Sequence, residues 1–138
     1  GYVPAQFALG ALLAEAGAPE ATRWFAQAAE AGHVEAQFNH ARGLAATDPA
    51  AARDWYARAG ASGFGAASYN LALMHARGQG GPESFRAALA WSLVAQEQGF
   101  VQAATLATAL LDVVPSESET AARAMTAQCL ADPMACPR

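Results

Sequence analysis

The stretch WYARAGASGFGAA, from Trp55 to Ala67, contains the pattern that decides the fold. Gly63 follows the tryptophan by eight residues, and Ala67 follows that glycine by four. The same spacing occurs twice more, in the sets Trp24, Gly32 and Ala36, and Trp91, Gly99 and Ala103. A pattern that recurs at such a period is typical of repeat proteins, in which each repeat packs against its neighbours.

The tryptophans are separated by 31 and 36 residues, so the spacing varies only upstream of each tryptophan. The pattern divides a single repeat domain into units of about residues 3–33, 34–64 and 65–100, followed by a terminal helix pair at 101–138. Gly1 matches the register of the glycine that closes each unit, so the chain is expected to begin at the end of a preceding unit. A glycine left by a purification tag is the alternative.

Each unit is predicted to contain two helices. Apolar residues recur at helical spacing in the first helix, at Ala5, Leu9, Leu12 and Leu13. The second helices are expected to begin at Pro19, at Asp48 with Pro49, and at Ser84. Proline needs no amide partner at the first helical position, and Asp or Ser side chains accept hydrogen bonds from free amides. The second helices are expected to end at the glycines, because glycine adopts left-handed geometry without strain.

Alanines lie three residues before and four residues after each tryptophan, on the helix face that carries the indole. Small residues there allow two helices to approach closely, while the tryptophan fills the space between layers. We interpret this stripe as core, because recurrence in every unit is what packing requires.

The last segment lacks a tryptophan and carries a different signal. Ser116 and Glu119 form the pattern Ser-x-x-Glu, which predicts a capping box with Ser116 as the N-cap of a helix that reaches about Leu130. We expect this helix to cover the end of the stack as a C-terminal cap.

Charge and hydropathy exclude two classes of partner. The net charge is -4, and all eight basic residues are arginines scattered singly along the chain. Because no basic stripe is present to neutralise phosphates, nucleic acid is not expected as a partner. No apolar run approaches the roughly 20 residues of a membrane helix, so membrane insertion of this segment is not expected either.

Cys129 and Cys136 flank the turn signal Asp132-Pro133. A turn there brings the two thiols together, which predicts a disulfide, with two unlinked thiols as the alternative. Because disulfides persist in oxidising compartments, we expect a periplasmic or otherwise exported protein, with a cytoplasmic location as the alternative.

Three features together resemble the Sel1-like repeat (SLR), a relative of the tetratricopeptide repeat (TPR): the Ala-x-x-x-Leu-Gly-x-x-Leu pattern from Ala5 to Leu13, the Gly78-Gln79-Gly80 loop, and Ala88-Leu89-Ala90-Trp91 leading to Gly99. The resemblance covers nearly the whole chain, although the first two units lack the Gly-x-Gly loop. It implies an all-α fold, a right-handed superhelical α/α solenoid of antiparallel helix pairs. It also implies a bacterial scaffold for protein complexes, often in envelope signalling.

No catalytic pattern stands out. His33, His40 and His75 occupy different places within their units, so no metal site is predicted, and no serine or cysteine lies beside a histidine and an acid at a suggestive spacing. The segment GQGGP at residues 78–82 is interpreted as a turn between helices, because no strand precedes it and no Gly-Lys follows. We expect no enzyme activity and no cofactor. A β-lactam-binding or hydrolysing enzyme, an activity described for some members of the family, is the alternative.

Binding on the surface of the first helices is the expected function. Residues two to three and six to seven positions after each opening alanine are expected to turn towards a concave groove. These positions and one nearby arginine give Phe38, Asn39, Arg42, Tyr69, Asn70, Met74 and Arg77. Asparagines can bind a peptide backbone, arginines a carboxylate, and aromatic or methionine side chains an apolar residue.

The leading hypothesis is a monomeric, non-enzymatic scaffold that binds a peptide or protein segment in this groove, in bacterial envelope signalling or assembly. A further alternative is a structural spacer within a longer repeat array, whose exposed first helix docks on upstream repeats.

Overall fold

The computed structural model describes residues 2–132 and 135–136, so the prediction about Gly1 lies outside the described residues. Within them the chain forms helices and no strands. The helices are α1 (Val3–Glu15), α2 (Ala21–Glu30), α3 (Val34–Leu44), α4 (Pro49–Ala61), α5 (Gly65–Arg77), α6 (Phe85–Glu97), α7 (Ala103–Leu111) and α8 (Ser116–Ala131). None of these helices has both the length and the apolarity needed to cross a bilayer.

The helices alternate as the sequence predicts. Within units, α1 packs against α2, α3 against α4, and α5 against α6. Between units, α2 packs against α3, α4 against α5, and α6 against α7. Each second helix therefore lies between the first helix of its own unit and that of the next. The predicted all-α solenoid of helix pairs is confirmed.

Glycine closes the second helix in each unit, as predicted. Gly32, Gly63 and Gly99 have φ values of 92°, 97° and 87°. The amide that follows each glycine donates to a carbonyl five residues back, which satisfies a group that the helix end leaves free. The accepting residues are the alanines four positions after each tryptophan, Ala28, Ala59 and Ala95, and all three are fully buried. In each unit one alanine therefore packs in the core, and its carbonyl accepts the hydrogen bond that closes the helix.

Two of the three start signals of the second helices form the expected hydrogen bonds. The Asp48 side chain accepts from the Ala51 amide at 3.2 Å, and the Ser84 hydroxyl accepts from the Ala87 amide at 3.1 Å. Helix α2 instead begins two residues after Pro19, and no side chain caps it.

The predicted capping box at α8 is wrong. Pro115 occupies the N-cap position in an extended conformation, so Ser116 is already the first helical residue and caps nothing. Glu119 pairs with Arg123, one turn further along, with Nε and Oε1 3.0 Å apart. An ion pair at this spacing is available to any exposed helix and competes with the capping contact.

The interpretation of the tryptophans as core residues is confirmed for the second and third units. Trp91 is 1% exposed and Trp55 9%, whereas Trp24 is half-buried. The flanking alanines of α4 and α6 are fully buried. A core of alanine and tryptophan keeps neighbouring helices close while filling the remaining volume.

Aromatic rings link the two parts of each unit. The first-helix ring of each unit meets the ring that follows the closing glycine: Phe7 with His33 at 4.4 Å between centroids, Phe38 with Phe64 at 5.0 Å, and Tyr69 with Phe100 at 5.0 Å. The same ring contact therefore occurs in all three units, so the repeat includes the surface of the first helices as well as the core.

The longer spacing before Trp91 is explained by the loop at residues 78–82, which connects α5 with α6 as predicted. This loop folds back onto the preceding unit. Gly80 has a φ of 74°, and a Cβ there would collide with the Pro49 carbonyl at the start of α4. The loop therefore requires glycine both for its backbone conformation and for its close approach to α4.

Helix α8 packs mainly against α6. The Thr126 hydroxyl lies 3.2 Å from the Ala90 carbonyl of α6 and 2.9 Å from the Ala122 carbonyl of its own helix. In the structure a disulfide joins Cys129 on α8 to Cys136, which packs partly buried against the core. The bridge holds Cys136 against the core.

Helices α4, α5 and α6 meet at Gly60. A Cβ at this position would lie 2.6 Å from the Ser68 hydroxyl and 3.1 Å from the Trp91 ring. Gln98 reinforces the contact, because its amide donates to the Gly60 carbonyl at 2.7 Å and its oxygen accepts from Ser68 at 2.7 Å. The absence of a side chain at residue 60 is therefore a packing requirement.

We expect the substitution Gly60→Ala to lower the free energy of unfolding by about 1 to 3 kcal/mol, because the new methyl group overpacks this junction. The matched control is Gly43→Ala in α3, where a Cβ meets nothing within 4 Å. That change should raise the free energy of unfolding by about 0.5 kcal/mol through helix propensity. Urea denaturation followed by circular dichroism measures both, and equal effects of the two substitutions would contradict the packing argument.

Reduction of the Cys129–Cys136 bridge should lower the free energy of unfolding by about 2 to 3 kcal/mol, the chain-entropy value for so short a loop. Thiol titration of protein purified without reductant should find no free thiol before reduction. The variant Cys136→Ser should be equally destabilised and insensitive to reductant. Free thiols in the oxidised protein would remove the support for the bridge.

Candidate functional site

A surface cavity of about 150 Å³ lies where the ends of α3 and α5 meet α4. It is lined by Ala45, Tyr56, Asn70, Leu73, Met74, Arg77 and Gln79. Asn70, Met74 and Arg77 are among the residues that the sequence predicts for a binding groove. The structure therefore brings three of the predicted residues to one cavity.

Tyr56 connects the cavity to the core. Its side chain is 4% exposed, and its hydroxyl forms a hydrogen bond with the side chain of Asn70. Burial raises the pKa of Tyr56, while the Asn70 hydrogen bond and the charge of Arg42 partly oppose that rise. The phenol thus stays protonated at neutral pH and interacts with Asn70 at the cavity wall.

Two residues of α3, Phe38 and Arg42, lie next to Tyr56 of α4. The Arg42 guanidinium lies 5.8 Å from the centroid of the Phe38 ring, a cation–π distance. The Phe38 ring in turn lies 5.9 Å from Tyr56 and 5.0 Å from Phe64. The aromatic cluster therefore positions a cation beside the cavity.

Two exposed arginines flank this region, Arg42 on α3 and Arg77 in the last turn of α5. Neither forms an ion pair with a carboxylate of the described residues. Met74 is only 5% exposed and belongs to the core, so it contributes an apolar floor beside Leu73. The site thus combines two cations, an amide and an apolar base.

Asn39 and Tyr69 do not line the cavity. The Asn39 amide donates to the Glu35 carbonyl of its own helix at 2.9 Å, and the Tyr69 ring packs against Phe100. Asn39 and Asn70 hold the same position in adjacent units, yet only Asn70 has a tyrosine hydroxyl opposite it.

Sequence reasoning missed Tyr56 and Gln79. Tyr56 lies directly after Trp55 on a second helix, which the repeat pattern assigns to core packing. The equivalent residues in the other units are Phe25 and Ser92. The residue type therefore varies at this position of an otherwise constant pattern, and this variation was the signal that could have identified Tyr56.

A buried arginine holds the wall of the cavity in place. Arg53 is 4% exposed, and its guanidinium donates to the carbonyls of Gln79 at 2.6 Å, Met74 at 3.2 Å and Pro82 at 3.1 Å. Its Nη1 also lies 3.1 Å from Nδ1 of His75. Because the carbonyls come from the end of α5 and from the loop at residues 78–82, Arg53 fixes this loop against the preceding unit.

His75 must be neutral in this arrangement, because its Nδ1 accepts a hydrogen bond from Arg53. Burial, and then the positive charge of Arg53, lowers the pKa of His75 to about 4. Nε2 of His75 is buried and has no partner among the described residues. Protonation would place two cations in contact beneath the loop.

The other two histidines have separate structural roles. Nδ1 of His33 caps α3 by accepting from the Ala36 amide at 3.2 Å. His40 meets the edge of Trp55 at 5.2 Å, and burial lowers its pKa. Across residues 2–132 and 135–136, no group of three or more His, Cys, Asp or Glu side chains is arranged to hold a metal ion.

Two solved structures resemble this chain over most of its length. One is a protective antigen present in uropathogenic Escherichia coli strains that displays an SLR fold, with a TM-score of 0.89 and 25% identity over 98% of this chain and 32% of that chain. The other is a Sel1 repeat protein from Oxalobacter formigenes, with a TM-score of 0.74 and 25% identity over 80% of this chain and 50% of that chain. This chain therefore spans about a third and a half of their lengths. No family model and no curated protein matches it.

The fold and these likenesses define the class as a helical repeat solenoid. Within that class the resemblance found in the sequence is confirmed, because the chain has the fold of these Sel1-like repeat structures. The fold supports a scaffold for protein–protein interaction in general.

Acidification from pH 6.5 to pH 4 should destabilise the protein through His75. The pKa is about 6.5 in the unfolded chain and about 4 in the folded one, so the unfolded state binds the extra proton in this window. The contribution of His75 is fully present above pH 6.5 and decreases by about 2 to 3 kcal/mol as the pH falls to 4.

Urea denaturation at pH 7, 5.5 and 4 measures this dependence. The variant His75→Gln should show a shallower dependence than the wild type, whatever its stability at pH 7. If His75→Gln keeps the wild-type dependence, the assignment to His75 is wrong.

Proposed function

We propose that this protein is a scaffold that binds a peptide or protein segment at the groove between α3 and α5, and that the segment presents a carboxylate beside an apolar residue. The observation that carries the proposal is the cavity at Asn70 and Arg77, with Arg42 beside it. The proposal has three parts: the charge, the backbone contact and the apolar contact.

In this proposal the two arginines favour a negatively charged ligand. A guanidinium binds a carboxylate through two parallel hydrogen bonds, which adds orientation as well as energy. Arg42 and Arg77 are exposed and unpaired with carboxylates of the described residues, so binding does not require breaking an internal ion pair. The protein carries a net charge of -4, and these two cations provide the local attraction for an acidic segment.

In this proposal the asparagine side chains form hydrogen bonds with the peptide backbone. An asparagine side chain has two donor hydrogens and an acceptor oxygen, so the contact between Asn70 and Tyr56 leaves capacity for a ligand. Asn39 repeats the same position one unit earlier. Its amide donates to the Glu35 carbonyl, and its oxygen has no partner among the described residues. An extended segment along both helices would meet an amide in each unit, as in other groove-binding modes.

The apolar floor and the small volume limit what fits. Met74 and Leu73 form the base, and methionine adapts its shape to different apolar partners. A cavity of about 150 Å³ accommodates one side chain rather than a folded domain. The ligand we propose is therefore a short linear segment.

We further propose that the protein functions in a bacterial envelope. The disulfide between Cys129 and Cys136 supports this location, since such bonds persist in oxidising compartments. Sequencing the mature protein from periplasmic and cytoplasmic fractions would test it, and recovery of reduced protein from the cytoplasmic fraction alone would contradict it.

The groove is tested with fluorescein-labelled heptapeptides that carry Asp or Glu beside Leu or Phe, and with matched peptides that carry Asn or Gln instead. Fluorescence anisotropy should show tighter binding of the acidic set. Arg77→Gln and Asn70→Ala should each weaken binding of an acidic peptide about tenfold or more, as expected for the loss of a charge-assisted or amide contact.

The matched control is Arg86→Gln, which removes one exposed arginine of α6 away from the cavity. It should leave the affinity unchanged. Equal binding of acidic and amide peptides, or unchanged affinity in both Arg77→Gln and Asn39→Ala/Asn70→Ala, would refute the groove. The β-lactam alternative has its own test, because turnover of a chromogenic β-lactam above a heat-inactivated control would refute the non-enzymatic scaffold.

A further inference from the structure

His75 is in contact with the group that holds the wall of the proposed groove. The Arg53 guanidinium donates to the carbonyls of Met74 and Gln79, and both of these residues line the cavity. The same guanidinium lies 3.1 Å from Nδ1 of His75. A change in the charge of His75 therefore acts on the side chain that keeps two lining residues in place.

Arg53 also attaches the loop at residues 78–82 to the preceding unit. Within the described residues, the hydrogen bonds that join this loop to α4 are those from Arg53 to the carbonyls of Gln79 and Pro82. The amides of Gln79 and Ser84 bond instead to carbonyls in the last turn of α5. Loss of the Arg53 contacts would therefore free the loop to move away from α4.

No acidic group is placed to neutralise a second positive charge beside Arg53. Across residues 2–132 and 135–136, no carboxylate lies within ion-pair distance of Arg53 or His75. Burial, and then the charge of Arg53, lowers the pKa of His75, whereas burial raises the pKa of Tyr56 one turn along α4 and keeps its phenol neutral. The other charged groups on the elements packed around His75 are exposed: Asp48, Asp54 and Arg58 at or on α4, Arg77 on α5, Glu83 before α6 and Arg86 on α6.

We propose that His75 is a pH-sensitive latch on the groove: protonation of its imidazole repels the Arg53 guanidinium, releases the loop at residues 78–82 and weakens ligand binding. The effect on binding rests on the function proposed above. Its direction follows from the hydrogen bond, because Nδ1 accepts from Arg53 while the ring is neutral and loses that capacity when protonated. Acid therefore favours the open loop.

The two pKa values of His75 set the size of the effect. The pKa is about 4 with the loop closed, against 6.5 for an ordinary histidine. The preference for the closed loop is fully present above pH 6.5 and is lost as the pH falls towards 4. Between pH 7 and pH 5 the ratio of open to closed loop should rise about 20-fold.

Hydrogen exchange followed by NMR tests the release of the loop. The protection factors of the Gln79 and Ser84 amides should fall roughly 20-fold from pH 7 to pH 5, after correction for intrinsic exchange. Both amides should exchange faster than the Leu71 amide in the buried middle of α5, which separates loop opening from global unfolding. In His75→Gln, whose side-chain oxygen accepts from Arg53 without titrating, protection should be the same at both pH values.

Binding is measured with a rhodamine-labelled peptide that carries cysteic acid beside Leu, because a sulfonate keeps its charge over this pH range. Fluorescence anisotropy should show the Kd of the wild type rising at least threefold, and up to about 20-fold, from pH 7 to pH 5. The Kd of His75→Gln should not change. His33 and His40 are present in both proteins, so their titration cannot produce a difference between them.

Linkage supplies a test that needs no variant. If the segment binds the closed loop, saturation with the same peptide must lower the pKa of His75, which NMR reads from the ring protons. An unchanged His75 pKa in the complex would overturn the proposal.

The proposal is also overturned if protection of the wild-type loop does not depend on pH, or if His75→Gln loses affinity in acid as the wild type does. Absence of binding at pH 7 in both proteins would instead refute the groove, and with it the effect on binding. The exchange data would then still decide whether His75 holds the loop.

Discussion

The close approach of each second helix to the first helix of the next unit is the constraint on which the structure depends. At the junction between α4 and α5 this approach uses Ala59, Gly60 and Ala67, which are all buried, and Gly60 leaves no room for another methyl group. Tryptophan fills the volume on either side. The spacing from tryptophan to the opening alanine is constant for this reason, since an insertion there would shift both partners of the contact.

The elements could be predicted because their signals act locally. A glycine in left-handed geometry ends a helix whatever surrounds it, and the three closing glycines did so. The prediction of Ser116 as the N-cap was wrong for an equally local reason. Pro115 takes the extended N-cap position, so the helix begins at Ser116, one residue earlier than predicted. Pro19 lies two residues before the start of α2, so this proline marks the turn before the helix and not the first helical residue.

The candidate site depends on contacts between units, and these were less accessible from the sequence. The groove residues on α5 followed from repeat register, but the contact between Tyr56 and Asn70 joins two helices from different units. Arg53 and Gln79 are 26 residues apart. The one available signal was a departure from the pattern, because the other units have Thr22 and Leu89 where Arg53 stands.

The Arg53 clamp also makes the first two joints between units unequal in their hydrogen bonding. Between the second and third units, Arg53 and the Gln98 amide cross the joint with hydrogen bonds of 2.6 to 3.2 Å. Between the first and second units, Gln37 makes a single 3.4 Å hydrogen bond to Ala29 and leaves its oxygen unpartnered among the described residues. We therefore expect bending of the array to concentrate at the earlier joint. The proposed groove beside Tyr56 would therefore keep its shape when the first unit moves, and binding there would cost the protein little conformational entropy.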